Sequence, residues 1–308
     1  MSTDNSANYG PQEYLFYRLL SRLDEEGKLN SLYRTRLWKL ACETDYYLQN
    51  DLKRDIQFPR YWYQYGEIPK IDDLNTDFYS VSKNAEYRSI LLTQRLERGA
   101  FVLTNDVRED IDRAVDWIVE KFLETDTYDI KDYHYENRAP NDFIRTFDNF
   151  RDELDDADFD QSALSQFVGK NDNGKGEKEE LLDRLNQLVK TYPEDYDVME
   201  TAFLKWEDTM RLLIQNEEEE KAEELLELFW RYLSKAELRI HHNQNITERE
   251  LEKWQQERDS NRDGFRDTLR EYRDEILLER EQEDILTDEE VQDEYLRSLD
   301  LPVPDATE

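Results

Sequence analysis

The chain has few places to turn. Glycine, which supplies positive φ, occurs 8 times in 308 residues, and proline, which interrupts helices, 7 times. That scarcity favours long helices over a fold of strands and tight turns. Charge is the second constraint. With 75 Asp and Glu against 41 Lys and Arg, the formal charge is −34. Charge and mean hydropathy alone would place the chain among disordered proteins. Its 19 Tyr, 13 Phe and 6 Trp argue otherwise, because each large aromatic ring removes a large apolar area from water when it is buried.

Two causes fit the acidity. At molar salt the Debye length shrinks to about 3 Å, so dense surface carboxylates stop repelling one another and keep a protein hydrated and soluble. The alternative is a mimic of DNA, or a partner for a basic surface, which would gather its charge on one face. Acidic residues occur in every segment here, as expected of a halophilic protein. Cys42 stands alone, so no intrachain disulfide and no cysteine-based zinc site is expected. No apolar run nears 18 residues and no signal-peptide core opens the chain. A soluble, cytoplasmic protein without membrane contact is the expectation.

The coarse reading is mainly α. Residues 1–10 and 301–308 are expected to be flexible. Leu15, Phe16, Leu19, Leu20 and Leu23 repeat at helical spacing from Pro11 until Gly27. Ser31 can cap a second helix, with Leu37, Leu40, Ala41, Thr44, Tyr47 and Leu48 inward. The period then changes. In "QFPRYWYQYGEIP", Gln57 to Pro69, Tyr61, Tyr63 and Tyr65 alternate with Arg60, Trp62 and Gln64, which is a strand pattern starting at Pro59. Asn84 is read as the cap of a helix through Ile90, Leu91 and Leu92 that ends at Gly99, and Phe101 to Leu103 as a short strand. Helices followed by small strands predict a winged-helix-like module over residues 11–103, whose little sheet needs wide aromatic rings to cover its helices.

Helical patterns dominate afterwards: a connecting region over 104–168, then a helical bundle or long-helix domain over 177–300. Val107 to Phe122 and Phe143 to Leu154 form two stripes, the second capped by Asn141, with residues 125–140 read as a Tyr-rich loop. Residues 169–178 read as a linker. Leu181 to Val189, Met199 to Leu213, and one long helix through Leu225, Leu226, Phe229, Tyr232 and Leu233 follow. Thr247 with Glu250, and Thr287 with Glu290, fit capping boxes.

No catalytic constellation is legible, and no cofactor is expected. "DSNRDGFRDTLR" resembles a calcium loop, with Asp259, Asn261, Asp263 and Asp267 at ligand positions and Gly264 at the turn. Arg270 stands where the bidentate Glu belongs, which costs two oxygens. The competing reading is a helical stripe of Phe265, Leu269, Tyr272 and Ile276. His241 and His242 are adjacent and so do not converge on a helix. They are expected at a helix end, where the dipole favours them. His134 has no predictable partner. Cys42 is read as a small core residue. For DNA, the local candidate is Arg34, Arg36 and Lys39 in "YRTRLWKL", provided the three share one exposed face. Against a charge of −34 they are a small basic patch.

The opening third resembles a known family on two stretches, "RLWKLACETDYY" and "YWYQYGEIP". It is similar to the SocA-like antitoxin family, also called the Panacea domain, whose members carry a leucine-rich L-x-K-L-L-Y helix followed by a strand reading aromatic, aromatic, Tyr-Gly-Pro-Val. Leu37, Lys39, Leu40, Tyr61, Trp62, Tyr65 and Gly66 occupy the matching positions. Glu67 stands in place of the proline and Ile68 in place of the valine. The resemblance implies a binding activity with no catalytic residues: members often neutralise a toxin encoded beside them, and some act as protease adaptors. It also implies a protein partner, a cognate toxin or a second copy of the chain, with Tyr61, Trp62, Tyr63, Tyr65 and Gly66 as core and contact surface. Alternatives from other classes are a DNA-binding regulator and a structural protein of a virus or plasmid. Trp62 points away from Tyr61 and Tyr63, so one of these two faces must meet something beyond the small sheet.

Overall fold

The computed structural model describes residues 9–81, 90–157 and 177–298. The expected cap at Asn84, most of the linker at 169–178, and residues 1–8 and 301–308 lie outside the described residues. The described chain is mainly helical, with a small sheet.

Helix α1 (Pro11–Glu25) starts on its proline, with the Glu13 carboxylate accepting from Gly10 N at 2.8 Å. It ends just before Gly27, which takes φ +68°, a conformation that costs glycine nothing. Its five-residue stripe is wholly buried. Ser31 does not cap the next helix. Its hydroxyl donates to Lys28 O beside a short 3₁₀ turn, and α2 (Arg34–Asn50) begins past it. Tyr9 is held rather than frayed: its N donates to Ala100 O, Val102 N donates to its O, and its hydroxyl reaches Asp77. This leaves Phe101–Leu103 as a single parallel bridge to Tyr9 and not a strand.

Strands β1 (Arg60–Tyr63) and β2 (Gly66–Pro69) form an antiparallel hairpin, with Arg60 opposite Pro69 and Trp62 opposite Glu67. A second ribbon joins β3 (Tyr79–Val81) to β4 (Ile90–Leu92). Ile90–Leu92 was expected to be helical. Alternation decides otherwise, since Ile90 is buried and Leu91 exposed.

Helix α3 (Asn105–Phe122) packs across α1 and α2. One apolar core therefore runs from Tyr9 to Ile130, and α3 shares it with the first hundred residues. Residues 125–140, expected to be a loop, form α4 (Thr127–Arg138), capped by Asp126, whose carboxylate accepts from Tyr128 N and Asp129 N. Its buried face is Ile130, His134 and Tyr135, and a histidine at its centre hides the apolar period.

A second core is built from α5 (Asp142–Asp155), α6 (Glu177–Thr191), α7 (Glu200–Gln215) and α8 (Glu219–Leu233). Asn141 caps α5, accepting from Ile144 N at 3.1 Å. Phe147 stacks on Trp230 and Trp206 on Phe229, each at 4.4 Å between centroids. The helix containing Phe229 stays helical as far as His241, with a change of winding on the way. Ser234–Leu238 forms a π turn, followed by the single turn α9 (Arg239–His241) and by β5 (Asn243–Gln244). Strand β5 pairs with β1, which gives the sheet order β2-β1-β5.

The last element, α10 (Glu248–Ser298), spans 51 residues. Thr247 Oγ1 accepts from Glu250 N at its start, and Trp254, Phe265, Leu269 and Ile276 fix it to the body. The helix runs unbroken through Asp259, Asn261, Asp263 and Asp267, so the calcium-loop reading is corrected. Asp259 and Asp263 pair with Arg262, Asp267 pairs with Arg270, and Asn261 Nδ2 donates to Glu257 O. Gly264 sits within the helix against the Tyr232 ring. The same continuity removes a helix start at Thr287. Among the described residues no group of His, Cys, Asp and Glu could hold a metal ion, and no helix is long and apolar enough to cross a membrane.

Candidate functional site

The β1–β2 hairpin lies between the two cores. Alternation along β1 gives it an inner face, carrying Arg60 and Trp62, and an outer face, carrying Tyr61 and Tyr63. The inner face meets α2 and α4. Trp62 is buried with its ring edge-on to Tyr135 at 5.5 Å, and belongs to the second core. At the turn, Gln64 O accepts from both Trp230 Nε1 and Tyr135 OH. Gly66 takes φ +78°, and a Cβ there would lie 2.7 Å from Lys39 Nζ. Lys39, fully buried, donates to Glu67 O at 2.9 Å. The two sequence stretches that carry the family resemblance thus meet at one contact.

Around that contact the interior is ionic. Arg60 Nε lies 3.3 Å from Asp45 and 3.6 Å from Glu67. Arg138 grips both oxygens of Glu43 at 2.9 Å, with His134 Nε2 3.2 Å from the same carboxylate. The Arg60 and Arg138 guanidinium groups both lie over the Tyr46 ring, at 4.1 and 4.4 Å. Burial pulls Lys39 down to about 8 and pushes the Asp45 carboxyl up to about 7 against the pull of Arg60. Burial also raises Glu67 and holds His134 well below the usual imidazole range, where Lys39 and Arg138 keep it neutral. Of nine buried side-chain polar atoms without a hydrogen bond among the described residues, six are here: Asp45 Oδ1, two nitrogens of Arg60, Glu67 Oε2 and both nitrogens of His134. Such groups are costly to bury and concentrate where a fold needs specificity or function.

The outer face is aromatic. Tyr61 packs on Trp254 at 4.9 Å and edge-on to Tyr63 at 6.1 Å. Arg239 lies over the Trp254 ring and is bonded to Glu257. Burial raises Tyr63, while Arg239 and Arg231 draw it down. Tyr65, at the hairpin tip, is 55% exposed. Trp62 N donates to His242 O at 2.8 Å. The His242 ring is 2.5 Å from the Tyr196 hydroxyl, which also accepts from Asn141 Nδ2. Burial, then His241, pulls His242 down to about 4. His241 faces Glu237 and accepts from Arg258 at 3.0 Å. The two histidines diverge, as adjacent helical residues must, yet both rings flank Tyr196.

The tract Tyr61, Trp62, Tyr63, Tyr65 and Gly66 therefore lies on one hairpin, and much of it packs within the chain. The basic trio does not share an exposed face, so the DNA surface expected there is corrected. Arg34 covers Trp38, Arg36 donates to Phe122 O and Leu123 O at the end of α3, and Lys39 is interior. Burial of a lysine beside a main-chain acceptor gives it a structural task, with no reach to phosphate. Asp45, Arg60, Glu67, Arg138 and Arg231 were not legible beforehand. Only the i, i+4 placement of Lys39 and Glu43 within an apolar stripe signalled buried charge. No family model, no curated protein and no solved structure matches this chain.

Proposed function

We propose that the chain is a non-enzymatic protein-interaction module of a halophile, antitoxin-like or otherwise tied to mobile-element defence, acting in the cytoplasm. The observation that carries this reading is the hairpin. The family-like residues Lys39 and Gly66 lock it in place, and its tip offers exposed Tyr65 close in sequence to half-buried Tyr63, a residue type favoured at binding hot spots. Helices α1 and α2 followed by two hairpins support a winged-helix-like N-terminal unit, and α5 to α8 support a helical bundle behind it. The uniform acidity supports work at molar salt.

The test is affinity capture in molar KCl with the purified chain and with Tyr65→Ala. A specific protein partner, in the antitoxin case the product of an adjacent gene, should be retained by the first and lost by the second. Folded protein that retains nothing specific would overturn the reading. Stability should fall as KCl is withdrawn; a melting temperature unchanged in dilute buffer would sink the halophilic part.

A further inference from the structure

The inner face of the hairpin calls for more hydrogen bonds than its side chains give one another. Asp45, Arg60 and Glu67 are all buried, brought together from α2, β1 and β2. Arg60 Nη2 donates to Gln49 Oε1 at 3.3 Å, and Gln49 Nε2 donates to Asp45 Oδ2 at 2.9 Å. Arg60 Nε lies 3.3 Å from Asp45 Oδ2 and 3.6 Å from Glu67 Oε1. That is close enough for charge attraction, but neither oxygen takes up its N–H in a hydrogen bond. Lys39 serves the Glu67 main-chain oxygen and not its carboxylate. What remains is of two kinds. Arg60 Nε and Nη1 are donors without an acceptor, and Asp45 Oδ1 and Glu67 Oε2 are acceptors without a donor.

That mixture decides what would satisfy them. A cation would serve the two oxygens but turn its charge on the arginine, and among the described residues no group of His, Cys, Asp and Glu could hold a metal ion. An anion would serve Arg60 but face two carboxylates. Only a neutral molecule that both donates and accepts serves all four atoms, and water is the smallest. Buried waters in proteins sit among two to four such partners, and charged groups left unpaired in the interior are costly.

We propose that the Asp45–Arg60–Glu67 cluster is a buried water site, in which ordered water accepts from Arg60 Nε or Nη1 and donates to Asp45 Oδ1 or Glu67 Oε2. The site is particular to this chain. Glu67 stands where the family-like motif has proline, which carries no side-chain acceptor. The water is a structural ligand that ties β1 and β2 to α2, so the hairpin is wet on its inner face and dry on its aromatic outer face. None of this depends on the hairpin being a binding surface for another protein.

The test is a crystal structure of the full chain, grown in molar KCl and refined far enough to show ordered solvent, with a second crystal soaked in RbBr. Density within about 3.2 Å of one Arg60 donor and one of the two carboxylate acceptors is expected, with no anomalous signal after the soak. Anomalous scattering at the site would make the occupant an ion and overturn the proposal. So would Arg60 bonded directly to both carboxylates with nothing between them. In the triple variant Arg60→Met, Asp45→Leu, Glu67→Leu, the density should be lost while residue 60 stays opposite Pro69. Density that persists there would show that other groups hold the water, and would equally overturn the assignment. The wild-type crystals carry the test by themselves, whatever the stability of the variant.

Discussion

The two faces of the β1–β2 hairpin are held by different physics. On the inner face, Arg60, Asp45, Glu67 and Lys39 meet without water-sized separation. On the outer face, Tyr61 lies on Trp254 and Tyr63 spreads beside it. Aromatic burial is non-directional and scales with area. Buried ion pairs roughly break even against hydrophobic replacements but punish any missing partner. The outer face therefore supplies adhesion, and the inner face supplies register: a hairpin slipped by one residue would put Arg60 and Glu67 on the wrong side.

That contrast can be broken in steps. Arg60→Met leaves Asp45 and Glu67 buried without their cation, and should cost about 3–5 kcal/mol in urea unfolding. Adding Asp45→Leu and Glu67→Leu should return most of it; a single variant as stable as the wild type would show the network to be idle. On the outer face Trp254→Ala should cost about 3 kcal/mol, as for other large-to-small aromatic changes, with no comparable rescue by a second deletion. Gly66→Ala combines an unfavourable positive φ with the Lys39 clash and should cost about 1–3 kcal/mol. Lys39→Met should relieve only the steric part of it.

Acid should separate the faces by sign. His242 is held down at about 4 from 6.5. An unfolded chain takes up its proton first, so this contribution is full above pH 6.5 and is lost as pH falls towards 4. Asp45 is pushed up to about 7 from 3.8, so the folded chain holds the proton longer, and its contribution is lost as pH rises through 7. Between pH 4 and 6.5 the two oppose each other. Asp45→Asn should steepen the rise of stability with pH, and His242→Asn should flatten it, both read from thermal melts across the window. Parallel profiles for the two variants would contradict the assignment. The smallest effect belongs to Tyr65→Ala, expected within about 0.5 kcal/mol for an exposed side chain, although the same change should abolish partner capture.

Local pattern was enough for much of the fold. The stripes of α1, α2, α3, α5 and α7 fell where the apolar spacing put them, because burying one face of a helix is decided within a few turns of sequence. Gly27 and Asn141 ended and started helices for reasons local to the backbone. The strand alternation from Arg60 to Tyr63 also showed that Trp62 and the tyrosines must face different neighbours. It could not say that both neighbours lie in the same chain. Where the pattern misled, the missing information was nonlocal. Residues 125–140 read as a loop because the centre of their buried face is His134, which lies 3.2 Å from Glu43, 91 positions earlier. Ile90–Leu92 became a strand because β3 was there to pair with it. The calcium-like spacing at Asp259–Asp267 lost to a helix anchored by Trp254 before it, Phe265 within it and Leu269 after it.

The sequence by itself determined a helical, aromatic-cored, heavily acidic chain with one aromatic strand, since spacing and composition act over short range. Only the tertiary structure decided that this tract turns after Tyr63 into a hairpin, and what that hairpin touches. Lys39, read as one of three surface cations, became the buried partner of Gly66 and Glu67. The physical reason is that the burial of a charge depends on partners brought from distant positions, and no local periodicity records who those partners are.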